Sequence, residues 1–171
     1  MDSWESIMNF EEEEFKILVW DQSGAENYTR IRTLNYPKTD VFLLCYSVVS
    51  RSSFEVAKNV FIPELKPYLN NSGFILVGTK IDLRNDLDTI QSLHDNNEEP
   101  LTFEDGLKLA EETGALGYME CSALTGTNIS PIFEEGFRFC IEKSRNVNNP
   151  SYNIKEYKIA LPISKAKSAR K

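Results

Sequence analysis

Residues 73–82 read GFILVGTKID, an apolar run that stops at Thr79 and is followed by Lys80 and Asp82. Runs of the same kind occur as FKILVWD at 15–21, VFLLCYSVV at 41–49 and GYMECSAL at 117–124. Three of the four runs are nearly continuous in apolar residues, which is typical of parallel strands buried on both faces. We therefore predict one strand in each run.

Helical spacing of apolar residues separates these strands. The predicted helices lie in residues 52–69, 102–114 and 129–144. Ser52 or Ser53 is a candidate N-cap for the first helix and Thr102 for the second, and Gly114 is a stop signal. Strands that alternate with helices predict an α/β fold with a doubly wound, mostly parallel sheet.

The chain has 171 residues, which is the length of a single domain. Residues 2–10 are predicted to form an edge strand, and Glu11–Glu14 its turn into the next strand. We predict that the domain covers residues 1–145 and that residues 146–171 form a flexible basic tail.

Charge and composition exclude several classes of function. From Asn146 onward the chain has six basic residues and one acidic residue, a net charge of +5. The net charge of the whole chain is −7, so residues 1–145 carry −12. An acidic body argues against nucleic-acid binding, whereas a basic tail is compatible with weak contact to an anionic membrane surface. His94 is the only histidine, which excludes a multi-histidine metal site. No apolar run is long enough to span a bilayer, and we predict a cytoplasmic protein that could lie at the inner face of the plasma membrane.

Polar residues follow three of the predicted strands, at the edge of the sheet where α/β proteins bind ligands. They are Asp21 to Gly24, Thr79 to Asp82, and Glu120 to Leu124. Taken singly, each is ordinary turn chemistry.

Taken together and in this order, the three segments resemble the small GTPases of the Ras superfamily, and most closely the Rac-like members of the Rho family. The resemblance covers about residues 2–145 and rests on YPKTDVFLLCYSVVS (36–50), LVGTKIDLRND (76–86) and ECSALTG (120–126). The charged stretch at 86–99 lies where Rho proteins carry an extra insert helix. The resemblance implies a P-loop NTPase-like fold and a GTP/GDP switch in signal transduction and cytoskeleton regulation.

The resemblance assigns guanine-binding roles to Thr79, at the end of the 73–79 run, and to Lys80 and Asp82, which follow it. Asp82 would accept hydrogen bonds from the ring N–H and the amino group of guanine, a pair of donors that adenine lacks. The aliphatic stem of Lys80 would lie along the base. Thr79 stands where the wider superfamily has Asn.

The resemblance also assigns roles at the other two strand ends. The backbone N–H of Ala123 would reach the guanine carbonyl oxygen, with Ser122 and Leu124 shaping the loop. Asp21 would lie near Mg²⁺, and Gly24 would offer its backbone N–H to the terminal phosphate.

Residues Tyr28–Leu34 resemble the second switch of the family. The resemblance implies that exchange factors, GTPase-activating proteins and effectors bind there. The alternative is an ordinary amphipathic surface helix.

The 171 residues depart from the family pattern at the phosphate end. They contain no G-x-x-x-x-G-K-[ST] motif, and the nearest string, GFILVGTK (73–80), has the wrong order and a strand-like interior. The first strand, the P-loop, the first helix and the first-switch Thr are expected but not found, so Mg²⁺ binding is predicted to be weak or lost. The missing strand belongs between the 15–21 and 41–49 runs. Without it, we expect these strands either to close against each other or to leave the domain unstable, and we favour an incomplete gene product over a native truncation.

Two further departures concern catalysis and anchoring. Ala25 stands where the family has the Gln that orients the attacking water, so no catalytic residue is predicted and hydrolysis is expected to be impaired. Gln22 is nearby, but three positions earlier, where the chain points elsewhere. No Cys follows Cys140, so a prenyl anchor is not predicted.

The leading hypothesis is a Rho/Rac-like GTP-binding protein with a retained guanine pocket. A nucleotide-free pseudo-GTPase that acts as an interaction module is the alternative. A generic flavodoxin-like fold would not explain the three edge segments together.

Overall fold

A computed structural model describes residues 2–10, 13–25, 28–146 and 156–162. The strands are β1 (Asp2–Phe10), β2 (Glu13–Gln22), β3 (Val41–Ser47), β4 (Gly73–Thr79), β5 (Gly117–Cys121) and β6 (Glu156–Pro162). The α-helices are α1 (Thr29–Leu34), α2 (Arg51–Val56), α3 (Ile62–Leu65), α4 (Leu87–His94), α5 (Phe103–Thr113) and α6 (Ile129–Asn146). A π-helical turn (Ala57–Phe61) joins α2 to α3, and 3₁₀ turns follow α3 (Lys66–Asn71) and β4 (Ile81–Leu83).

The six strands form one sheet in the order β1-β2-β6-β3-β4-β5. Only β1 is antiparallel to its neighbour, as an edge strand on β2, and the other four pairings are parallel. Together with its flanking helices, the sheet confirms the predicted α/β fold and the edge strand at 2–10. Glu13 and Glu14, predicted as part of a turn, belong to β2, and Glu11 and Glu12 lie outside the described residues.

Two hydrophobic clusters cover the two faces of the sheet. One packs α2, α3 and α5 against Phe42, Leu44 and Leu76, and the other packs α6 against Val41, Leu43 and Ile75. Alternate residues of β3 and β4 thus enter opposite clusters, as the period of a strand requires. This is the burial on both faces that the continuous apolar runs predicted.

Two of the predicted helix boundaries are confirmed and one is wrong. Thr102 forms a capping box with Asp105 at the start of α5, and Gly114 ends that helix with a left-handed φ of 73°. The N-cap of α2 is Ser50 rather than Ser52 or Ser53, and its hydroxyl accepts the Ser53 N–H. Ser53 is buried instead, and its hydroxyl donates to the Ser50 carbonyl oxygen.

The largest difference from the sequence-based expectation is β6. A flexible tail over 146–171 is wrong for residues 156–162, which form a parallel strand between β2 and β3. Ile159 and Ala160 are fully buried, Ile159 in the α6 cluster and Ala160 in the opposite one. The strand fills the position that the resemblance left empty, so β2 and β3 neither close against each other nor lack a partner there. Residues 147–155 and 163–171 lie outside the described residues.

Within the described ranges, no helix combines the length and the apolar character needed to cross a bilayer.

Candidate functional site

The turn after β4 and the end of β5 meet at one edge of the sheet. Thr79 pairs in register with Cys121, which brings the residues that follow each strand side by side. The Ser122 hydroxyl donates to the Asp82 carboxylate at 2.5 Å and accepts the backbone N–H of Thr125 at 3.1 Å. Ser122 is fully buried whereas Asp82 is half-buried, so a buried hydroxyl orients a carboxylate that reaches the surface.

The other predicted pocket residues surround this pair. The Thr79 hydroxyl donates to the Tyr46 carbonyl oxygen at 2.8 Å, which ties β4 to β3. Lys80 adopts a left-handed φ of 63° and is exposed. Ala123 and Leu124 are also exposed, Leu124 by 82%. The structure therefore brings Thr79, Lys80, Asp82 and 122–124 together at one edge.

A second set of hydrogen bonds, which the sequence analysis missed, joins the same two strand ends through Arg84 and Glu120. The Arg84 guanidinium donates to both oxygens of Glu120, at 2.7 and 2.5 Å, and its Nε donates to the Leu101 carbonyl oxygen. The Tyr118 hydroxyl also donates to Glu120 and is 2.7 Å from the Tyr46 hydroxyl. A sequence signal was present, because opposite charges stand two residues after Asp82 and two residues before Ser122.

Burial and hydrogen bonding together set the pKa values of Glu120 and Tyr118 in this network. Burial would raise the pKa of Glu120, but the hydrogen bonds from Arg84 and Tyr118 outweigh burial and lower that pKa. Burial is also the main reason that the pKa of Tyr118 is raised, and the bond to Glu120 adds to it. Glu120 is therefore a carboxylate and Tyr118 a neutral donor at neutral pH.

The lowered pKa of Glu120 predicts a pH dependence of stability. As the pH falls, the unfolded chain takes up its proton first, near the ordinary Glu pKa of about 4.3, so stability is lost from there downwards. We expect the urea midpoint of Glu120→Gln to be lower than that of the parent at pH 7 but to fall less steeply below about pH 5. Parallel curves for the two proteins would contradict the pairing.

Asp21 and Gly24 lie at the end of β2, on the same edge of the sheet. Asp21 is half-buried and pairs in register with Leu161 of β6, and Gly24 is buried. Burial, with Cys121 and Asp21 adding to it, raises the pKa of the Cys45 thiol to about 12. Asp21 and Cys121 lie at the ends of β2 and β5, and Cys45 lies two residues before the end of β3.

A family comparison bears on this edge of the sheet. The sequence model of the Ras family matches residues 1–142. The chain belongs to the Ras family. As a small GTP-binding protein of that family, it is expected to bind GTP or GDP with Mg²⁺ and to interact with regulators and effectors, as family members do.

The described residues of this Ras-family chain offer few ligands for a metal ion. Among the described residues, no group of three or more His, Cys, Asp or Glu side chains could hold a metal ion. Asp21 alone fits Mg²⁺ only if phosphate oxygens and waters supply the other ligands.

The segment predicted as the second switch contains α1, and its residues point in two directions. Tyr28, Ile31 and Leu34 are at least half exposed, whereas Arg32 is 2% exposed. Arg32 donates to both oxygens of Glu64, at 2.9 and 2.7 Å, and to the carbonyl oxygens of Ser23 and Ala25. Arg32 is therefore not available to partners, and the sequence analysis did not foresee its burial.

Ala25 and Gln22 occupy different environments in this Ras-family chain. Ala25 is exposed at the end of β2 and carries only a methyl group. Gln22 is 1% exposed, and its amide oxygen and nitrogen have no hydrogen-bond partner. The Gln22 side chain therefore points into the protein, as the sequence analysis expected, and does not replace a polar group at position 25.

Proposed function

We propose that this chain is a Rho/Rac-like GTP-binding protein of signal transduction that recognises guanine through Asp82. The observation that carries the proposal is the half-buried Asp82 carboxylate oriented by the buried Ser122 hydroxyl. One Asp82 oxygen is used by Ser122, and a carboxylate can accept several further donors, such as the ring N–H and amino group of guanine. Lys80, Thr79, Ala123 and Leu124 would complete the base pocket, and Asp21 and Gly24 would face Mg²⁺ and the terminal phosphate.

The Rho-type assignment draws support from α4. This helix begins at an Asp86 N-cap, follows the pocket turn, and has no buried residue. Thr89, Ile90 and Leu93 are only partly buried, so the helix lies on the surface, which suits an inserted element. We place the insert of the Rho family at 86–99 on this basis.

Regulators and effectors would bind the exposed face of α1. Tyr28, Ile31 and Leu34 expose apolar surface there at a spacing of three residues, which places them on one side of the helix. Singly exposed apolar residues are ordinary, but such a group is typical of a protein interface.

GTP hydrolysis is expected to be impaired in this proposal. The exposed methyl group of Ala25 cannot orient a water molecule, and Gln22 is buried. The bound nucleotide is therefore expected to remain GTP for longer than in family members that carry the water-positioning Gln.

A nucleotide-free interaction module is the second candidate. It is favoured by β6, which fills the slot between β2 and β3 with a strand that leads into no phosphate-binding motif. In this alternative, the exposed face of α1 would carry the whole function.

The nucleotide content of the purified chain separates the two candidates. The parent is denatured and its supernatant is analysed by anion exchange, beside Asp82→Ala and the control Glu111→Ala, an exposed carboxylate on α5. We expect guanine nucleotide in the parent and control. Hydrogen bonds to a charged group contribute about 1.5–3 kcal/mol each, so losing two in Asp82→Ala should weaken binding by two orders of magnitude or more. A folded parent without nucleotide would overturn the first candidate and support the second.

A further inference from the structure

The buried Arg32 side chain connects α1 to α3 and to the turn that follows β2. Its guanidinium donates to both carboxylate oxygens of Glu64 in α3, and the Tyr36 hydroxyl donates to the same carboxylate at 2.7 Å. Other N–H groups of Arg32 reach the turn after β2. Because the guanidinium is planar and its donors form a rigid fork, the bonds to Glu64 fix the direction of the remaining donors. Arg32 therefore holds the turn against α3.

The two carbonyl groups that Arg32 binds stand on either side of Gly24. The Nη1 atom of Arg32 donates to the Ser23 oxygen at 2.8 Å and to the Ala25 oxygen at 3.2 Å. The Ser23 carbonyl and the Gly24 N–H belong to one peptide group, which is trans, as all described peptide bonds are. In a planar trans peptide the C=O and the N–H point in opposite directions. By binding the Ser23 oxygen, Arg32 therefore directs the Gly24 N–H away from itself.

The hydrogen bonds within the turn do not fix this peptide group without Arg32. The Ala25 oxygen also accepts the Tyr28 N–H at 3.0 Å, so it keeps a donor when Arg32 is removed. Among the described residues, the Ser23 oxygen accepts from Arg32 alone. The orientation of the peptide between Ser23 and Gly24 therefore depends on Arg32 more than that of any other peptide in the turn.

The Gly24 N–H is a donor that the described residues leave unused. Gly24 is buried, and no hydrogen bond from its N–H occurs within the part of the chain that the structure describes. Buried N–H groups are nearly always paired, because an unpaired one loses its hydrogen bond to water without compensation. An orphan N–H held in one direction by a buried arginine indicates an acceptor supplied by a ligand.

We propose that Arg32 is a positioning residue that directs the Gly24 N–H at the terminal phosphate of GTP, and so lets this chain distinguish GTP from GDP. The inference rests on the proposed function, because it takes Gly24 as the group that meets this phosphate. Without Arg32, the peptide before Gly24 would have to be ordered again at each binding event, which weakens binding. GDP lacks the terminal phosphate, so its affinity should not depend on Arg32.

The ratio of two dissociation constants tests this role. A fluorescent non-hydrolysable GTP analogue and fluorescent GDP are titrated with the parent chain and with Arg32→Leu/Glu64→Leu. The double variant removes both charges of the buried pair, so it should stay folded, which far-UV circular dichroism checks. We expect its affinity for the GTP analogue to fall by about ten- to a hundredfold, the effect of losing one hydrogen bond to a charged group. Its affinity for GDP should stay within about twofold of the parent, because no bond to GDP is lost.

Two further variants accompany the titration. Arg138→Leu/Glu135→Leu is the matched control, because it removes an exposed arginine–glutamate pair on α6 and should keep both dissociation constants of the parent. Arg32→Lys serves in case the double variant does not fold. A lysine can pair with Glu64, but its single nitrogen cannot reproduce the fork that also reaches the Ser23 carbonyl, so Arg32→Lys should lose the same preference for the GTP analogue.

The outcomes separate this inference from the proposed function. Unchanged affinities in the Arg32 variants, or equal losses for both nucleotides, would overturn the positioning role while nucleotide binding by the parent still stood. A parent that binds neither nucleotide would overturn both proposals. If neither Arg32 variant folds, NMR of the parent with isotope-labelled glycine decides. The Gly24 amide resonance should differ between the complexes with the GTP analogue and with GDP, and an identical resonance would disprove the role of Arg32.

Discussion

Ile159→Asp is expected to unfold the domain or to lower its free energy of unfolding by about 4 kcal/mol or more. Ile159 is fully buried between β2 and β3, against the cluster that α6 covers. The substitution loses about 1.5–3 kcal/mol of apolar burial and places a carboxylate where no charge can pair with it. Release of β6 would also separate β1 and β2 from the rest of the sheet.

Urea unfolding followed by far-UV circular dichroism measures this effect, with Ile159→Val as the matched control. The control removes one buried methylene group and should cost only about 0.5–1.5 kcal/mol. If Ile159→Asp were as stable as the parent, residues 156–162 would not be part of the core, and the flexible tail expected from composition would be restored.

Arg32→Leu is the second change with a large expected effect. Arg32 and Glu64 form a nearly buried ion pair, and the Tyr36 hydroxyl donates to Glu64 at 2.7 Å. Burial would lower the pKa of Arg32, but the hydrogen bonds and charges of Glu64 and Tyr36 together outweigh burial and raise that pKa, so the guanidinium stays charged. Removing it leaves Glu64 without its cation and two carbonyl groups at the end of β2 without their donor, and breaking such a pair costs about 3–5 kcal/mol.

Two further variants separate the stability lost with the Arg32–Glu64 ion pair from the effect of placing any leucine in α1. Arg30→Leu lies in the same helix at an exposed position and should change stability by no more than about 0.5 kcal/mol. The double variant Arg32→Leu/Glu64→Leu should recover much of the loss, because removing both charges avoids the unpaired carboxylate. Equal urea midpoints for Arg32→Leu and Arg30→Leu would show that the ion pair contributes nothing to stability.

The burial of Arg32 shows why part of the site escaped prediction. Local rules place an Arg in a short polar segment at the surface, and nothing near it in sequence indicates Glu64, which is 32 residues away. The Arg84–Glu120 pair spans 36 residues and escaped for the same reason. Asp82 and Ser122 could be singled out because each lies within three residues of the end of a predicted strand, so that parallel strands place them at one edge.

Local chemistry by itself determined the strands at the four apolar runs, the α5 boundaries and the residues of the sheet edge. Continuous apolar runs, a Thr–Asp capping box and a glycine in the left-handed region act within a few residues of chain. Only the tertiary structure decided the role of residues 156–162, which read as tail because their run is short and lies among basic residues. Their burial depends on pairing with two strands more than a hundred residues earlier in the chain, since a strand is stabilised by the neighbours that pair with it.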